Sequence, residues 1–276
     1  DLHRRRHSFP TRRSSDLYSC PIVFRGPTGN AGQLSSQHSS NFENWFANTP
    51  GLKVVVPSNP ADAKGLLKAS IRDNDPVIFM ESEVMYGDKG LVPDGEYLIP
   101  IGSAKIVKEG KDVTIVTFGK MLSRVVMPAV EELAKLGIDA EVIDLRSVRP
   151  IDYPMVMASV KKTNRCVVVE EANPLAAISS EITYHVQRFG FDYLDAPIMR
   201  VNSKDLPLPY APTLIEEILN PCAGRKACDV VELAPQAIDL FLALLIELGG
   251  DRHEVSIVTR LDPAANSQLM GLYASS

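Results

Sequence analysis

The chain has 276 residues, enough for one large domain or two of ordinary size. Its formal charge of −5 leaves no general basic field for nucleic acid. The longest apolar stretch, Ile238 to Leu248, carries Asp239 and Glu247 and is about half of what a bilayer crossing needs. Four scattered cysteines (Cys20, Cys166, Cys222, Cys228) are too few for a disulfide framework and point to a reducing compartment.

The ends differ from the middle. Residues 1–20 form a basic segment without helical or strand periodicity, and the string from His7 to Leu17 reads as extraneous to the fold. Residues 221–276 form an atypical tail, with an apolar helix over Pro235–Leu248 and a short strand over Glu254–Thr259. Cys222 and Cys228 have no nearby His or Cys and make a poor metal site there.

Between the ends, strand and helix patterns alternate. Ile22-Val23-Phe24-Arg25 reads as a strand running into the turn-rich Gly26-Pro27-Thr28-Gly29-Asn30-Ala31-Gly32. A helical pattern covers Ser39–Ala47, with Phe42, Trp45 and Phe46 on its apolar side. Lys53–Pro57 reads as a buried strand, followed by a cap and a proline (Ser58-Asn59-Pro60) that open a helix through about Arg72. Val77–Met80 is the next strand, and strand–helix–strand with short connections implies a parallel sheet. A polar linker over 93–110 separates residues 21–92 from a second unit over 111–220. There, strands at Val113–Phe118, Ala140–Ile143, Cys166–Val169 and Ile198–Val201 alternate with helices at about 121–136, 153–162 and 175–189. That pattern is a three-layer, doubly wound α/β domain.

Ligands in such sheets bind at the carboxyl ends of the parallel strands. That rule selects the glycine-rich loop leading to Gln37-His38-Ser39, and it selects Arg146-Ser147-Val148-Arg149-Pro150-Ile151-Asp152. His38 reads as the start of a helix, where a neutral imidazole can shuttle a proton, or else it packs or caps. Arg146, Arg149 and Asp152 read first as a surface or interface salt-bridge cluster. The chain has no P-loop, no GxGxxG after a strand and no GxSxG elbow; Gly87-Asp88-Lys89 only echoes the Gly-Asp-Gly of thiamine enzymes. A partner is therefore expected to supply the phosphate site.

Several segments in order carry a family resemblance. They are Ile22-Val23-Phe24-Arg25-Gly26-Pro27, Gln37-His38-Ser39, Pro50-Gly51-Leu52-Lys53-Val54-Val55, Ser70-Ile71-Arg72-Asp73-Asn74-Asp75-Pro76, Leu98-Ile99-Pro100-Ile101-Gly102, Asp195-Ala196-Pro197, Asn202-Ser203-Lys204-Asp205 and Pro207-Leu208-Pro209-Tyr210. Together they resemble the beta subunits of the thiamine-diphosphate-dependent 2-oxoacid dehydrogenases, the pyruvate dehydrogenase kind above all, over about residues 21–220. Branched-chain 2-oxoacid dehydrogenase beta subunits are close relatives. Transketolase and deoxyxylulose phosphate synthase share the C-terminal fold.

The resemblance implies the C-terminal part of a thiamine diphosphate pyrimidine-binding domain followed by a transketolase C-terminal-like domain. It implies an alpha2-beta2 heterotetramer in which the alpha subunit holds magnesium and the diphosphate. The implied reaction is oxidative decarboxylation of pyruvate with acetyl transfer to a lipoyl-bearing transacylase, in a bacterial cytoplasm, a mitochondrial matrix or a plastid. His38 matches the family's active-site histidine. Ile22, Ser70, Ile71, Asp73 and Asp75 match its potassium ligands, mostly main-chain oxygens, with Asp75 standing where the family often has Asn. The glutamate that activates the cofactor lies upstream in the family, and residues 1–42 contain no Glu. The chain is therefore expected to be a fragment of such a subunit, inactive alone.

Overall fold

The computed structural model describes residues 19–218. The basic segment up to residue 18, the apolar helix and short strand read in the tail, and Cys222 and Cys228 lie outside the described residues.

Two sheets make up the fold of the described residues. The first joins β1 (Val23–Pro27), β3 (Val77–Glu81), β2 (Lys53–Val55) and β7 (Ser147–Arg149) in the order β1-β3-β2-β7. Its first three strands are parallel, with Val23 and Lys53 both opposite Val77. Helix α2 (Pro60–Ile71) links β2 to β3. It starts where the sequence places it, because the Asn59 side chain accepts the Asp62 N–H (2.9 Å) and Pro60 needs no partner in the first turn.

The two faces of this sheet follow from alternation along the strands. Val55, Val77 and Phe79 pack under Leu66 of α2. Val54, Ile78 and Met80 face the other way, into a core shared with the second unit through Val116, Ile143, Val168 and Ile182. Gly65 sits in mid-helix, where it weakens α2 intrinsically. A Cβ there would lie 2.7 Å from both Tyr97 and Ile99, so the glycine lets the connecting chain lie against the helix. The Ile99 N–H donates to the Gly65 carbonyl and the Tyr97 hydroxyl to the Ala61 carbonyl.

The second sheet has the order β4-β6-β5-β8-β9. Its strands are β4 (Lys105–Lys108), β5 (Val113–Thr117), β6 (Ala140–Asp144), β8 (Cys166–Val169) and β9 (Met199–Val201). All pairs are parallel except β4 with β6. Helices α3 (Met127–Lys135), α4 (Tyr153–Thr163) and α5 (Ile178–Gly190) cover it, and α6 (Pro212–Ile218) closes the described chain. One turn of π-helix, Leu122–Val126, leads into α3 at Pro128, whose ring cannot join an ordinary ladder.

Several elements depart from the sequence reading. Strand β4 falls inside the expected linker over 93–110, where it pairs antiparallel with β6 at the edge of the second sheet. The pattern over Ser39–Ala47 yields only a short helix α1 (Glu43–Ala47), preceded by a separate 3-10 turn at Ser36–His38. The three-residue strand β7 is new: it follows Arg146 at φ 58° and precedes Pro150, so nothing in its local pattern marks a strand. It pairs antiparallel with β2 and places a strand from the second unit in the first sheet.

Candidate functional site

His38 is exposed and ends the 3-10 turn that follows the glycine-rich loop. It does not begin a helix, because Ser39, Ser40 and Asn41 intervene before α1. The helix-dipole argument for its neutrality therefore falls. The loop carrying it is tied at its neck, where the Gly29 N–H donates to the Ser40 carbonyl (3.0 Å). The Gly32 N–H donates to Asn30 Oδ1, turning the chain within the loop.

A buried polar cluster lies at that neck. Glu43, 5% exposed, accepts a hydrogen bond from the Thr28 hydroxyl (2.8 Å). Glu171 accepts the Asn30 N–H (2.7 Å) and pairs with Lys120 (2.7 Å), whose ammonium also donates to the Asn30 carbonyl (2.6 Å). Burial pushes the Glu43 carboxyl up to about 7, and the neighbouring charges of Glu171 and Glu170 push the same way. The Thr28 hydrogen bond and one from the backbone oppose them. A cavity of about 20 Å³ between the units touches Thr28, Glu43, Ser82, Lys120 and Glu171. It is large enough for a water molecule and too small for a pyrimidine ring.

Lys120 and Glu171 were not singled out by the sequence reading, although its own rule points to them. They follow the carboxyl ends of β5 and β8, where loops bearing ligand contacts are expected. Charged residues just past a strand end, such as these, look like ordinary solvated loop residues in sequence.

The matched potassium set gathers at the opposite end of the first sheet. The Ile22 carbonyl accepts the Val77 N–H (2.8 Å), and Ser70 and Ile71 end α2. Asp73 and Asp75 lie in the following turn, with the Asp75 N–H donating to Asp73 Oδ1. A strand's length, about 16 Å for five residues, separates this end of β1 from the loop. The Lys53 ammonium sits 2.5 Å from Asp73 and 3.2 Å from Asp75, so both carboxylates already face a cationic partner. What remains for an added cation is main-chain oxygen, and a carbonyl that accepts one N–H keeps a second lone pair. That donor set fits a weakly held monovalent ion. Among the described residues no group of three His, Cys, Asp or Glu side chains is arranged to hold a metal.

Arg146 and Arg149 join the two units, and of the three residues read as a salt-bridge cluster only Arg146 forms an ion pair, while Asp152 stays within its own side of the boundary. Arg146 reaches Asp62 of α2 (3.4 Å) and donates to the Ala104 carbonyl, Arg149 donates to the Ala47 carbonyl, and Asp152 caps α4 while accepting the Ala104 N–H. Asp144 beside them accepts from the Ser58 hydroxyl (2.9 Å), and burial raises its carboxyl to about 7. Among the described residues no helix is long and apolar enough to cross a membrane.

The transketolase pyrimidine-binding domain family matches residues 7–89, and the transketolase C-terminal domain family matches residues 102–224. The beta subunit of the pyruvate dehydrogenase E1 component from Rhizobium meliloti is 51% identical over 202 residues, covering 73% of this chain and 44% of that protein. A mitochondrial beta-1 subunit from Arabidopsis thaliana is 47% identical over 226 residues, covering 78% of this chain and 61% of that protein. The chain spans about half the length of the curated relatives it matches. A solved split-gene transketolase, described as an inactive beta4 tetramer, shares the fold with a TM-score of 0.60 at 23% identity, covering 80% of this chain and 68% of that one. With successive transketolase-type pyrimidine-binding and C-terminal domains and relatives near half identity, the chain is a homologue of the pyruvate dehydrogenase E1 beta subunits over the region it shares with them.

Proposed function

We propose that the chain acts as a pyruvate dehydrogenase beta subunit, joined to an alpha subunit in an alpha2-beta2 tetramer and serving a lipoyl-bearing transacylase. The 51% identity to a bacterial beta subunit supports this reading most directly. The exposed placement of His38 on an anchored loop is consistent with it.

Thiamine diphosphate, when bound, supplies the nucleophilic carbon for decarboxylation. The cavity beside Glu43 is too small for its pyrimidine. This chain's proposed share of the chemistry is to hold or move a proton at the His38 imidazole during acyl transfer. Magnesium is assigned to the alpha subunit.

Co-expression of these residues within a full-length beta subunit, together with an alpha subunit, tests the reading. The assembled protein is expected to decarboxylate pyruvate with thiamine diphosphate and magnesium present, whereas this chain alone is not. Turnover of pyruvate by the lone chain, or a preference of the assembly for branched 2-oxo acids, would overturn it.

Potassium is proposed to bind through the main-chain oxygens near Ile22, Ser70, Ile71, Asp73 and Asp75. Exchanging potassium for tetramethylammonium should lower the melting temperature of the chain. In Asp73→Ala that salt difference should vanish, because the turn loses the Asp75 N–H bond to Asp73 Oδ1 that orients its main-chain oxygens, while loss of the Lys53 contact lowers stability in both salts. Equal melting in the two salts for the unmodified chain would remove the site.

A further inference from the structure

We propose that Lys120 and Glu171 are positioning residues, which clamp the Asn30 peptide from the second unit and so hold the His38 loop in its reactive placement. The inference rests on the role given to His38 above.

Both polar groups of one backbone residue are taken by one ion pair. Glu171 receives the Asn30 N–H, Lys120 donates to the Asn30 carbonyl, and the two charges meet at 2.7 Å. Each side chain is only 7% exposed. A buried pair of this kind adds little stability over a well-packed apolar substitute, so its presence points to geometry rather than to folding free energy. The Glu171 backbone is itself fixed, because its carbonyl accepts a hydrogen bond from the Ser203 hydroxyl.

The first unit is shaped to receive the clamp. Gly29 has φ +73°, and a Cβ on it would lie 2.2 Å from Glu171 Oε2. A second tie lies alongside, where the Asn44 side chain donates to the Ala176 carbonyl (3.1 Å). Beyond the neck the loop is sparsely held: Gln33, Leu34, Ser36, Gln37 and His38 are exposed. The orientation of that outer part is therefore set by the contacts at its base.

The position of the clamp in the second sheet supports the same conclusion. The chain leaves β5 toward β6 on one side, and leaves β8 toward β9 on the other, so the crevice between β5 and β8 is the topological switch point. Open α/β sheets bind ligands there. In this protein the crevice is filled by the Asn30 peptide, held as a ligand would be.

Hydrogen exchange on the full chain tests the clamp. The double variant Lys120→Met/Glu171→Gln removes both charges together, so neither is left buried and unpaired. It should raise exchange across residues 29–40 by about 10-fold or more, the scale of one charge-assisted hydrogen bond. Exchange in β3 and β8 should stay unchanged. In the enzyme assembled with its alpha subunit, the same variant should lower kcat for lipoamide acylation without raising the KM for pyruvate, and Lys120→Arg should retain most of the rate. Unchanged loop exchange, or equally faster exchange in every segment, overturns the clamp. Faster loop exchange with unaltered acyl transfer supports the clamp and overturns the His38 reading instead.

Discussion

Replacing His38 by alanine in the full-length subunit, assembled with an alpha subunit, is expected to cut acyl transfer to lipoamide by about 100-fold or more. Decarboxylation measured with an artificial electron acceptor should fall much less, because the imidazole is proposed to act only where the acyl group moves. The structure makes the comparison clean. His38 is exposed, at the end of a three-residue turn with no buried residue, so truncating it removes no core packing. The melting temperature of the assembly should therefore not change. Equal loss in the two assays would assign His38 to cofactor binding or to the fold.

Glu43→Gln should stabilise the protein above neutral pH. In the unfolded chain this carboxyl titrates near its usual 4.5, and in the folded chain at about 7. Between those values the folded state retains a proton that the unfolded state has released, so the stability the group contributes falls as pH rises. Above about 7 the fold must bury an ionised carboxylate next to Glu171 and Glu170, with only Thr28 donating from a side chain. Lys120 is already committed to Glu171 and Asn30. Glutamine carries no titrating proton, so at pH 8 the substitution should add up to about 3 kcal/mol. That corresponds to on the order of 5–10 °C in melting temperature for a protein of this size. Near pH 4.5 the gain should shrink toward zero. Asp144, also raised to about 7, is present in both proteins and cancels from the difference. A gap that does not change between pH 4.5 and 8 would show that Glu43 is not held protonated at neutral pH.

The fold was legible in the sequence wherever one element carried its own periodicity. The run Lys53-Val54-Val55-Val56, the Asn59-Pro60 start of α2 and the apolar strands of the second sheet all appear within two or three residues of their expected limits. Failures came where tertiary partners decide. Strand β7 has three residues and no apolar alternation, and it exists because β2 offers an open edge. His38 was placed at a helix start because Phe42, Trp45 and Phe46 continue a helical spacing, yet the serines before them form turns instead. The pairing of Lys120 with Glu171 joins residues 51 positions apart, and both with Asn30 across the units. No local spacing encodes such a contact. Lys53 likewise gave no sign in sequence that it would neutralise the acidic turn at Asp73 and Asp75.

The crossing of β7 has a consequence for how the molecule comes apart. By position in the chain that strand belongs with β6 and α4, but its ladder partner is β2. Pulling the two halves of the polypeptide away from each other would strip an edge from the first sheet and expose Val54 and Ile78, which share a core with Val148. Neither half can open without damaging the other, so the described region should behave as one cooperative foldon. Calorimetry should record a single heat-absorption peak, and the slowest-exchanging amides of β3 and β5 should report the same opening free energy.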